Sequence, residues 1–171
     1  MGLTKTIWLL WLQGWDSAPQ LVKLVHASWQ FHNPHWEIVL LDQQNIHLYI
    51  EAPVVKNISC AALSDIIRLK LLAQHGGVWA DATMACLRPL DGWAHHAVRP
   101  VGFWMYHGRD NGRGPASWFM MSVPGAYIPV EWDKQTDQFW KSRSTRSRSR
   151  SPPVAYNWMD KLFAQLAKTD H

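Results

Sequence analysis

The sequence predicts one α/β domain in which helices cover a mainly parallel β-sheet. The chain has 171 residues, 47% of them hydrophobic, which suits one domain with a sizeable core. A strand, a helix and a second strand follow one another within residues 6–42, and this alternation is typical of parallel sheets. Asp42 and Asp81 follow predicted strands. Because ligands of such folds bind at the carboxyl ends of strands, both acids are expected at the binding edge.

The first strand and helix are indicated by hydrophobic pattern and capping residues. Residues 6–12, TIWLLWL, form a short apolar run, which predicts a buried strand in the middle of the sheet. Asp16 or Ser17 is expected to cap a helix that has Pro19 in its first turn. The apolar face of this helix is predicted to contain Leu21, Val25, Ser28 and Trp29.

The second half of the alternation contains the candidate chemistry. Residues 36–41, WEIVLL, predict a strand, and Asp42 after it is either a strand-end cap or a nucleotide contact. Residues 59–75 predict a helix with Leu63, Ile66, Ile67 and Leu71 on its apolar face, and Gly76 is expected to end it in a left-handed conformation. Gly77 would then allow a tight entry into a strand at 78–80, which ends before Asp81.

Weaker signals follow Pro89. Strands are predicted at 101–107 and 117–123, with a glycine-rich loop at 108–115 between them. Residues 156–168 predict an amphipathic closing helix. Its apolar side is expected to consist of Trp158, Leu162 and Leu166.

The net charge of +4 is local. Residues 141–153 begin with KSRSTRSRSRS, which holds five basic and no acidic residues, so the rest of the chain has 12 basic and 13 acidic residues. A Ser/Arg repeat that ends in Pro-Pro cannot bury an apolar face, and it is interpreted as a flexible loop within the 1–171 domain. The alternative is a contact with RNA, anionic lipid or a phosphate-rich partner. Nucleic acid is disfavoured because no aromatic residues alternate with these arginines.

Cysteine content and hydropathy bear on location. Cys60 and Cys86 form neither a disulfide framework nor a zinc pattern, and they are expected to be buried thiols in a reducing compartment. Residues 7–12 are too short for a signal peptide, and no run approaches the roughly 20 apolar residues that span a bilayer. These observations favour a cytoplasmic protein, with peripheral contact at the inner membrane face; the Golgi lumen is the alternative.

Residues 64–83 combine a pair of charged residues, a glycine pair and an aspartate in a pattern that is found in a known family. Asp65 and Arg68 are three apart on the predicted helix, which alone would suggest an ordinary exposed ion pair. They stand in SDIIR, residues 64–68, and GGVWADAT, residues 76–83, follows. Together these resemble the sugar-binding segment of DXD-containing glycosyltransferases, especially the capsular polysaccharide synthesis proteins. Residues 5–24 and 33–42 resemble the first two strands of that family, and 117–125 resembles a later strand more weakly.

The resemblance implies a fold and an activity. The fold would be a GT-A-like, Rossmann-like nucleotide-sugar-binding fold, truncated at the C-terminus because the region after Gly125 is short. The activity would be transfer of a sugar from a nucleotide-diphosphate donor to a glycan or lipid-linked acceptor, in polysaccharide or capsule synthesis. Among late residues, Asp133, Asp137 and His171 are available as bases, although a retaining enzyme would need none. The alternative is an impaired remnant that binds sugar nucleotide or glycan and acts through a partner.

The resemblance also assigns residues. Asp81 would be the catalytic residue, in contact with a metal ion or the donor ribose, and Gly77 would belong to the donor-binding segment. Asp65 and Arg68 would hold sugar hydroxyls or phosphate. Trp8, or Trp11 as second choice, would stack on the nucleobase. The implied ion is Mn²⁺ or Mg²⁺, since hard oxygen ligands suit these ions; Thr83 would be the second ligand, where relatives often have aspartate.

Overall fold

Strands and helices alternate along residues 6–80, as the sequence predicts. A computed structural model describes residues 2–51, 53, 55, 58–106, 116–144 and 157–169. The elements, in chain order, are β1 (Thr6–Leu10), α1 (Gln20–His32), β2 (Glu37–Leu41), a short 3-10 helix (Ile46–Leu48), α2 (Cys60–Gln74), β3 (Gly77–Ala80), α3 (Ala94–Val98), β4 (Phe103–Tyr106), β5 (Ala116–Ser122), α4 (Tyr127–Ser144) and α5 (Trp158–Thr169).

The sheet has the strand order β2-β1-β3-β5-β4. β1 pairs in parallel with β2 and β3, β5 is antiparallel to β3, and β4 is antiparallel to β5. Four strands therefore run in one direction and only β5 runs against them, which confirms the mainly parallel sheet. β1 lies inside the sheet, as predicted. The ends of β1 to β4 and the start of β5 form one edge, which we call the carboxyl edge.

Both faces of the sheet are covered by helices. Successive side chains of a strand point to opposite faces, so Trp8 and Leu10 pack in one hydrophobic cluster while Ile7 and Leu9 pack in another. The first cluster includes side chains of α2, α4 and α5, and the second includes side chains of α1 and α3. Burial on both faces explains why β1 is apolar without alternation.

Helix α1 differs from the prediction at its start and on its apolar face. It begins at Gln20, after Pro19, and no side chain caps it. The hydroxyl of Ser17 instead contacts the carbonyl oxygens of Gln13 and Gly14. Leu21 is 64% exposed, and Val22 is buried in its place. Val22 and the buried Trp29 are seven positions apart, which is nearly two full turns, so they lie on the same side of the helix. Leu21 lies about 80° from Trp29 around the helix axis, so its side chain is outside this buried face.

Helix α2 matches the prediction closely. Ser59 caps it, because the Ser59 side chain accepts a hydrogen bond from the amide of Ala62. Gly76 follows the C-cap with φ of 66°, the left-handed conformation that was predicted. The prediction of two buried thiols is half right: Cys86 is buried, whereas Cys60, at the first residue of this helix, is exposed.

Helix α4 was not predicted, and it corrects the position of the Ser/Arg loop. Its first turn contains Pro129, which the helix tolerates there because the early amides have no helical partner. The helix continues through residues 141–144, so these four residues are helical and do not belong to a flexible loop. Residues 145–153 of the predicted loop lie outside the described residues, as do the 108–115 loop and His171.

The closing helix is confirmed as α5, and Trp158, Leu162 and Leu166 are all buried, as predicted. Across the part of the chain that the structure describes, no helix combines the length and the apolar content needed to cross a membrane.

Candidate functional site

Asp81 lies at the carboxyl edge, directly after the central strand β3. Its amide donates a 2.9 Å hydrogen bond to the carbonyl of Trp118 on β5, which continues the β3·β5 pairing by one residue. Its carbonyl accepts from the amide of Met84 at 2.8 Å and closes a turn. The indole of Trp29 on α1 donates to the Met84 carbonyl at 2.8 Å. The backbone around Asp81 is therefore held from both sides.

The structure brings together the three charged residues that the motif singled out. Nη2 of Arg68 lies 3.3 Å from Oδ1 of Asp65 and 3.2 Å from Oδ1 of Asp81. The Asp65–Arg68 pair is not the ordinary exposed ion pair of a solvated helix face, because the side chain of Arg68 is only 6% exposed. Arg68 is therefore a buried cation shared by two carboxylates.

Several further contacts hold the guanidinium of Arg68 in place. Nη1 donates to the carbonyl of Ser117 at 2.7 Å, and Nη2 donates to the hydroxyl of Ser64 at 3.1 Å. The guanidinium also lies over the ring of Trp79, 5.0 Å from its centroid. Nε alone has no partner among the described residues. The planar guanidinium of Arg68 is thus held by residues of β5, α2 and β3, and it in turn fixes the carboxylate of Asp81 relative to the sheet.

Burial sets the protonation of Asp65. Burial raises the pKa of the Asp65 carboxyl to about 6; Arg68 lowers it, and the charges of Asp81 and Asp160 raise it further. The pKa of Asp160, on α5, is also raised by burial. The C-terminal helix therefore contributes a negative charge to the surroundings of the site.

Of the two carboxylates that Arg68 contacts, Asp81 is more exposed to solvent than Asp65. Its side chain is 36% exposed, against 17% for Asp65. Oδ1 of Asp81 accepts from Arg68 and, at 2.9 Å, from the indole of Trp79. Its contacts with described side chains use Oδ1, so Oδ2 is the oxygen that can bind a ligand. The geometry suits a carboxylate that is oriented by the protein and presented at the sheet edge.

The surroundings of Asp81 fit a divalent ion only if a ligand supplies further oxygens. Within the described ranges, no three His, Cys, Asp or Glu side chains are grouped closely enough to hold a metal. Thr83 is exposed and lies in the turn that Asp81 begins. One carboxylate and one hydroxyl are a small donor set, but Mg²⁺ commonly binds through one or two carboxylates together with substrate phosphates.

Two of the predicted donor-binding residues are buried. Trp8 is only 3% exposed, and its indole donates to the carbonyl of Gly76 at 2.8 Å, so it cannot stack on a nucleobase. Gly77 is buried, and a Cβ there would lie 2.6 Å from the carbonyl oxygen of Thr6. Trp11, the second choice for stacking, is half-buried beyond the end of β1. Trp79, two residues before Asp81, is 1% exposed and lies in the core.

Asp42 follows β2 at the same edge, as predicted, and acts as a strand-end cap. Its Oδ1 accepts from the amides of Gln44 and Asn45 at 2.8 and 3.1 Å. It also lines a cleft with a volume of about 430 Å³, which neither Asp65 nor Asp81 lines. The lining residues are Leu12, Gln13, Gly14, Asp42, Gln43 and Gln44.

Other candidate residues are engaged elsewhere. Asp133 and Asp137 on α4 form ion pairs with Lys70 on α2 at 3.2 and 2.8 Å, so they serve the contact between these helices. His95 and His96 lie on α3 and belong to no metal group among the described residues. No contact within the described part of the chain places Asp133, Asp137, His95 or His96 beside Asp81, so none of them is identified as a base at the site.

Sequence reasoning missed Trp118 and Asp160. Trp118 was assigned only to a strand, although its carbonyl binds the amide of Asp81 and its side chain is 43% exposed. Asp160 was assigned only to an amphipathic helix. The signal for Trp118 was an aromatic residue in a polar stretch at a strand start, whereas nothing local to Asp160 indicates that it approaches Asp65.

Comparison with known proteins agrees with this architecture. The fold is similar to that of a solved glycosyltransferase, "PaToxG Glycosyltransferase", with a TM-score of 0.68 and 12% sequence identity over 98% of this chain and 71% of that one. The family model for the capsular polysaccharide synthesis protein matches residues 2–171. The chain therefore belongs to the capsular polysaccharide synthesis protein family. No curated protein matches the sequence.

Proposed function

We propose that the protein is a glycosyltransferase that moves a sugar from a nucleotide diphosphate to a glycan or lipid-linked acceptor in polysaccharide or capsule synthesis. Family membership and the glycosyltransferase-like fold support a transferase role. The observation that carries the proposal is the geometry of Asp81: an accessible carboxylate at the carboxyl edge, oriented by the buried Arg68 at 3.2 Å. Edges of this kind are where α/β folds bind nucleotides.

Asp81 and Thr83 are proposed to hold Mn²⁺ or Mg²⁺ together with the diphosphate of the donor. The ion would neutralise the charge of the departing diphosphate. Arg68 compensates the charge of Asp81 and fixes its orientation, so that Oδ2 faces the ligand. Asp65 would keep Arg68 in place and is not expected to touch the donor directly, because its side chain is only 17% exposed.

The nucleoside is proposed to lie toward β1 and β2. The cleft beside Asp42 opens at the ends of these two strands, and Trp11 follows β1 there. Asp81 lies two strand spacings from β2, roughly 10 Å. A diphosphate that leads from this cleft to Asp81 would place the sugar at the centre of the carboxyl edge. The acceptor would be met on the cytoplasmic side, at the inner membrane face.

Thermal stabilisation by donors tests this proposal. A ligand that binds the folded state raises its stability, by about 2.7 kcal/mol at 100 times the Kd. We expect one member of a UDP-, GDP- and CDP-sugar panel to stabilise the native chain with Mn²⁺ present. Asp81→Ala should abolish this shift, and Mn²⁺ alone should shift neither protein, because the protein ligands are too few without phosphate.

Asp91→Ala is the matched control. Asp91 is also an acid in an ion pair, but its partner is Lys5, which precedes β1 at the opposite edge of the sheet. It should keep the donor shift of the native chain. If no donor stabilises the native chain, or if Asp81→Ala keeps the shift, the proposed site is wrong. Release of nucleotide diphosphate by the native chain, but not by Asp81→Ala, would separate an active enzyme from a binding remnant.

A further inference from the structure

The pairing of β4 and β5 is interrupted beside Asp81. Met105 pairs with Met120, but the next β4 residue, Tyr106, pairs with Ala116. Residues 117–119 of β5 therefore stand opposite no residue of β4 and form a bulge. Bulges redirect side chains, and they occur often next to active sites.

This bulge is bonded directly to the candidate site. The carbonyl of Ser117 accepts from Nη1 of Arg68 at 2.7 Å, and the carbonyl of Trp118 accepts from the amide of Asp81 at 2.9 Å. The backbone of Trp118 is thus fixed relative to the carboxylate of Asp81. The side chain of Trp118 therefore starts from backbone that is paired with Asp81 at the carboxyl edge.

Two aromatic rings are exposed at this point of the edge. Trp118 is 43% exposed and Tyr106 is 41% exposed, and their rings are stacked with centroids 5.1 Å apart and planes at 21°. Trp104 packs edge-on against Tyr106 at 4.6 Å, and Phe119 lies 6.0 Å from it. We call Tyr106 and Trp118 the aromatic platform. It is supported from behind, so its orientation is fixed before any ligand arrives.

The chemistry of the aromatic platform suits a sugar ring. The face of an aromatic ring carries partial negative charge, and the C–H groups on one face of a pyranose carry partial positive charge, so the two surfaces attract while the sugar hydroxyls stay in water. Unlike a single exposed ring, the two stacked rings form one contiguous apolar surface, and contiguous exposed apolar surfaces are typical of binding sites.

The order of strands favours the acceptor sugar over the donor nucleobase as the ligand. Along β2-β1-β3-β5-β4, the cleft lies at β2 and β1, Asp81 at β3, and the aromatic platform at β5 and β4. If the donor runs from the cleft to Asp81, its nucleobase is on the far side of Asp81 from Trp118. The space next to Trp118 is then left for the molecule that receives the sugar.

We propose that Trp118 and Tyr106 form an acceptor subsite that binds a pyranose ring of a glycan beside Asp81. This inference rests on the proposed function, since that function places the donor on the other side. The ligand class is a neutral oligosaccharide or the sugar portion of a lipid-linked one. Both present the same pyranose ring to the aromatic platform.

Saturation-transfer NMR tests the subsite with three probes: cellopentaose, maltopentaose and chitopentaose. We expect the native chain to bind at least one probe at millimolar concentration. Trp118→Ala should weaken that binding about tenfold, and Tyr106→Ala should weaken it to a smaller extent, consistent with the strength of aromatic contacts. Both variants should keep the thermal stabilisation by the nucleotide-sugar donor, because neither side chain faces the cleft at β1 and β2.

Phe31→Ala is the matched control. Phe31 is 79% exposed near the end of α1, a helix that leads into the start of β2 and so ends at the opposite edge. It should bind probes and donor like the native chain. An unchanged melting temperature will show that Trp118→Ala is folded; if it is not, Tyr106→Ala carries the test.

The two proposals fail in different ways. A native chain that is stabilised by a donor but gives no saturation transfer to any probe would overturn the subsite. The subsite is also wrong if Trp118→Ala keeps probe binding, or if it loses donor stabilisation, since the aromatic platform would then hold the nucleobase. A native chain that no donor stabilises would overturn the proposed function itself, and with it the assignment of the aromatic platform to an acceptor.

Discussion

The indole of Trp79 donates a 2.9 Å hydrogen bond to Oδ1 of Asp81, two residues further along the chain. Residues i and i+2 of a strand point to the same face, so the W-x-D pattern places both side chains on the face that α2 covers. Arg68 reaches the same Oδ1 from α2. Strand and helix therefore both hold one oxygen of the Asp81 carboxylate, whereas Oδ2 has no side-chain partner among the described residues.

Trp79→Phe tests the contribution of this bond. The phenyl ring keeps most of the packing but loses the N–H, so we expect a loss of about 1 kcal/mol in unfolding free energy and weaker donor binding. Trp8→Phe is the matched control, because its indole also donates one buried bond, to the Gly76 carbonyl. It should cost similar stability in urea titrations and leave donor affinity unchanged. Equal donor affinity in both variants would contradict the orienting role of Trp79.

Arg68 is expected to be the most sensitive polar residue of the site. Arg68→Met would leave two carboxylates without their shared cation and the Ser117 carbonyl without its donor, which should cost about 3 kcal/mol in urea unfolding. Arg68→Lys keeps a charge but not the planar fork, and should recover only part of this loss. Lys134→Met, which breaks an ion pair with Glu131 while Lys134 is 61% exposed, should change stability by less than about 0.5 kcal/mol. Similar effects of Arg68→Met and Lys134→Met would show that Arg68 is not needed.

The pKa of Asp65 predicts an unusual pH dependence of stability. Because burial raises the pKa of this carboxyl from 3.8 to about 6, the folded state binds more protons than the unfolded state between these values. The contribution of Asp65 to stability is thus largest below pH 4 and decreases as the pH rises through 6, by about 3 kcal/mol at most. Asp65→Asn removes this titration.

Chemical denaturation from pH 4 to pH 7 measures the effect. We expect the native chain to lose stability relative to Asp65→Asn as the pH rises. Asp91→Asn is the control: the hydrogen bond with Lys5 lowers the pKa of the Asp91 carboxyl below 3.8, so Asp91 is ionised in both the folded and the unfolded state above about pH 5, and the stability difference between the native chain and this variant should stay constant from there to pH 7. A native curve parallel to that of Asp65→Asn would show that Asp65 ionises normally.

Sequence patterns predicted the parts of this fold that depend on local signals. The run around β1 and Gly76 predicted strand and helix boundaries to within one or two residues, and the grouping of Asp65, Arg68 and Asp81 was implied by the family resemblance of SDIIR and GGVWADAT. Trp8 was misplaced because alternation within a strand buried on both faces does not reveal which side is accessible.

Features that depend on distant contacts were not predictable in this way. The proline in its first turn and the low hydrophobicity of its sequence concealed α4, whose residues Trp132 and Trp140 are buried against other elements. The bulge that exposes Trp118 depends on the register between β4 and β5, which no local pattern of either strand sets. The approach of Asp160 to Asp65 depends on how α5 packs.

The backbone conformation and surroundings of Gly77 predict that the first residue of β3 tolerates no side chain. Its φ is 87°, and a Cβ would lie 2.6 Å from the Thr6 carbonyl oxygen, which is backbone of the neighbouring strand. Gly77→Ala therefore combines a strained conformation with a steric clash and should cost about 3 kcal/mol or more. Gly14→Ala is the matched control: its φ is 92°, but a Cβ there would meet nothing within 4 Å, so only the conformational cost of about 1 to 2 kcal/mol remains. Urea unfolding of the two variants measures the difference. If Gly77→Ala were no less stable than Gly14→Ala, the close approach of β3 to β1 would not be what requires glycine, and the GG pair would need an explanation in ligand binding.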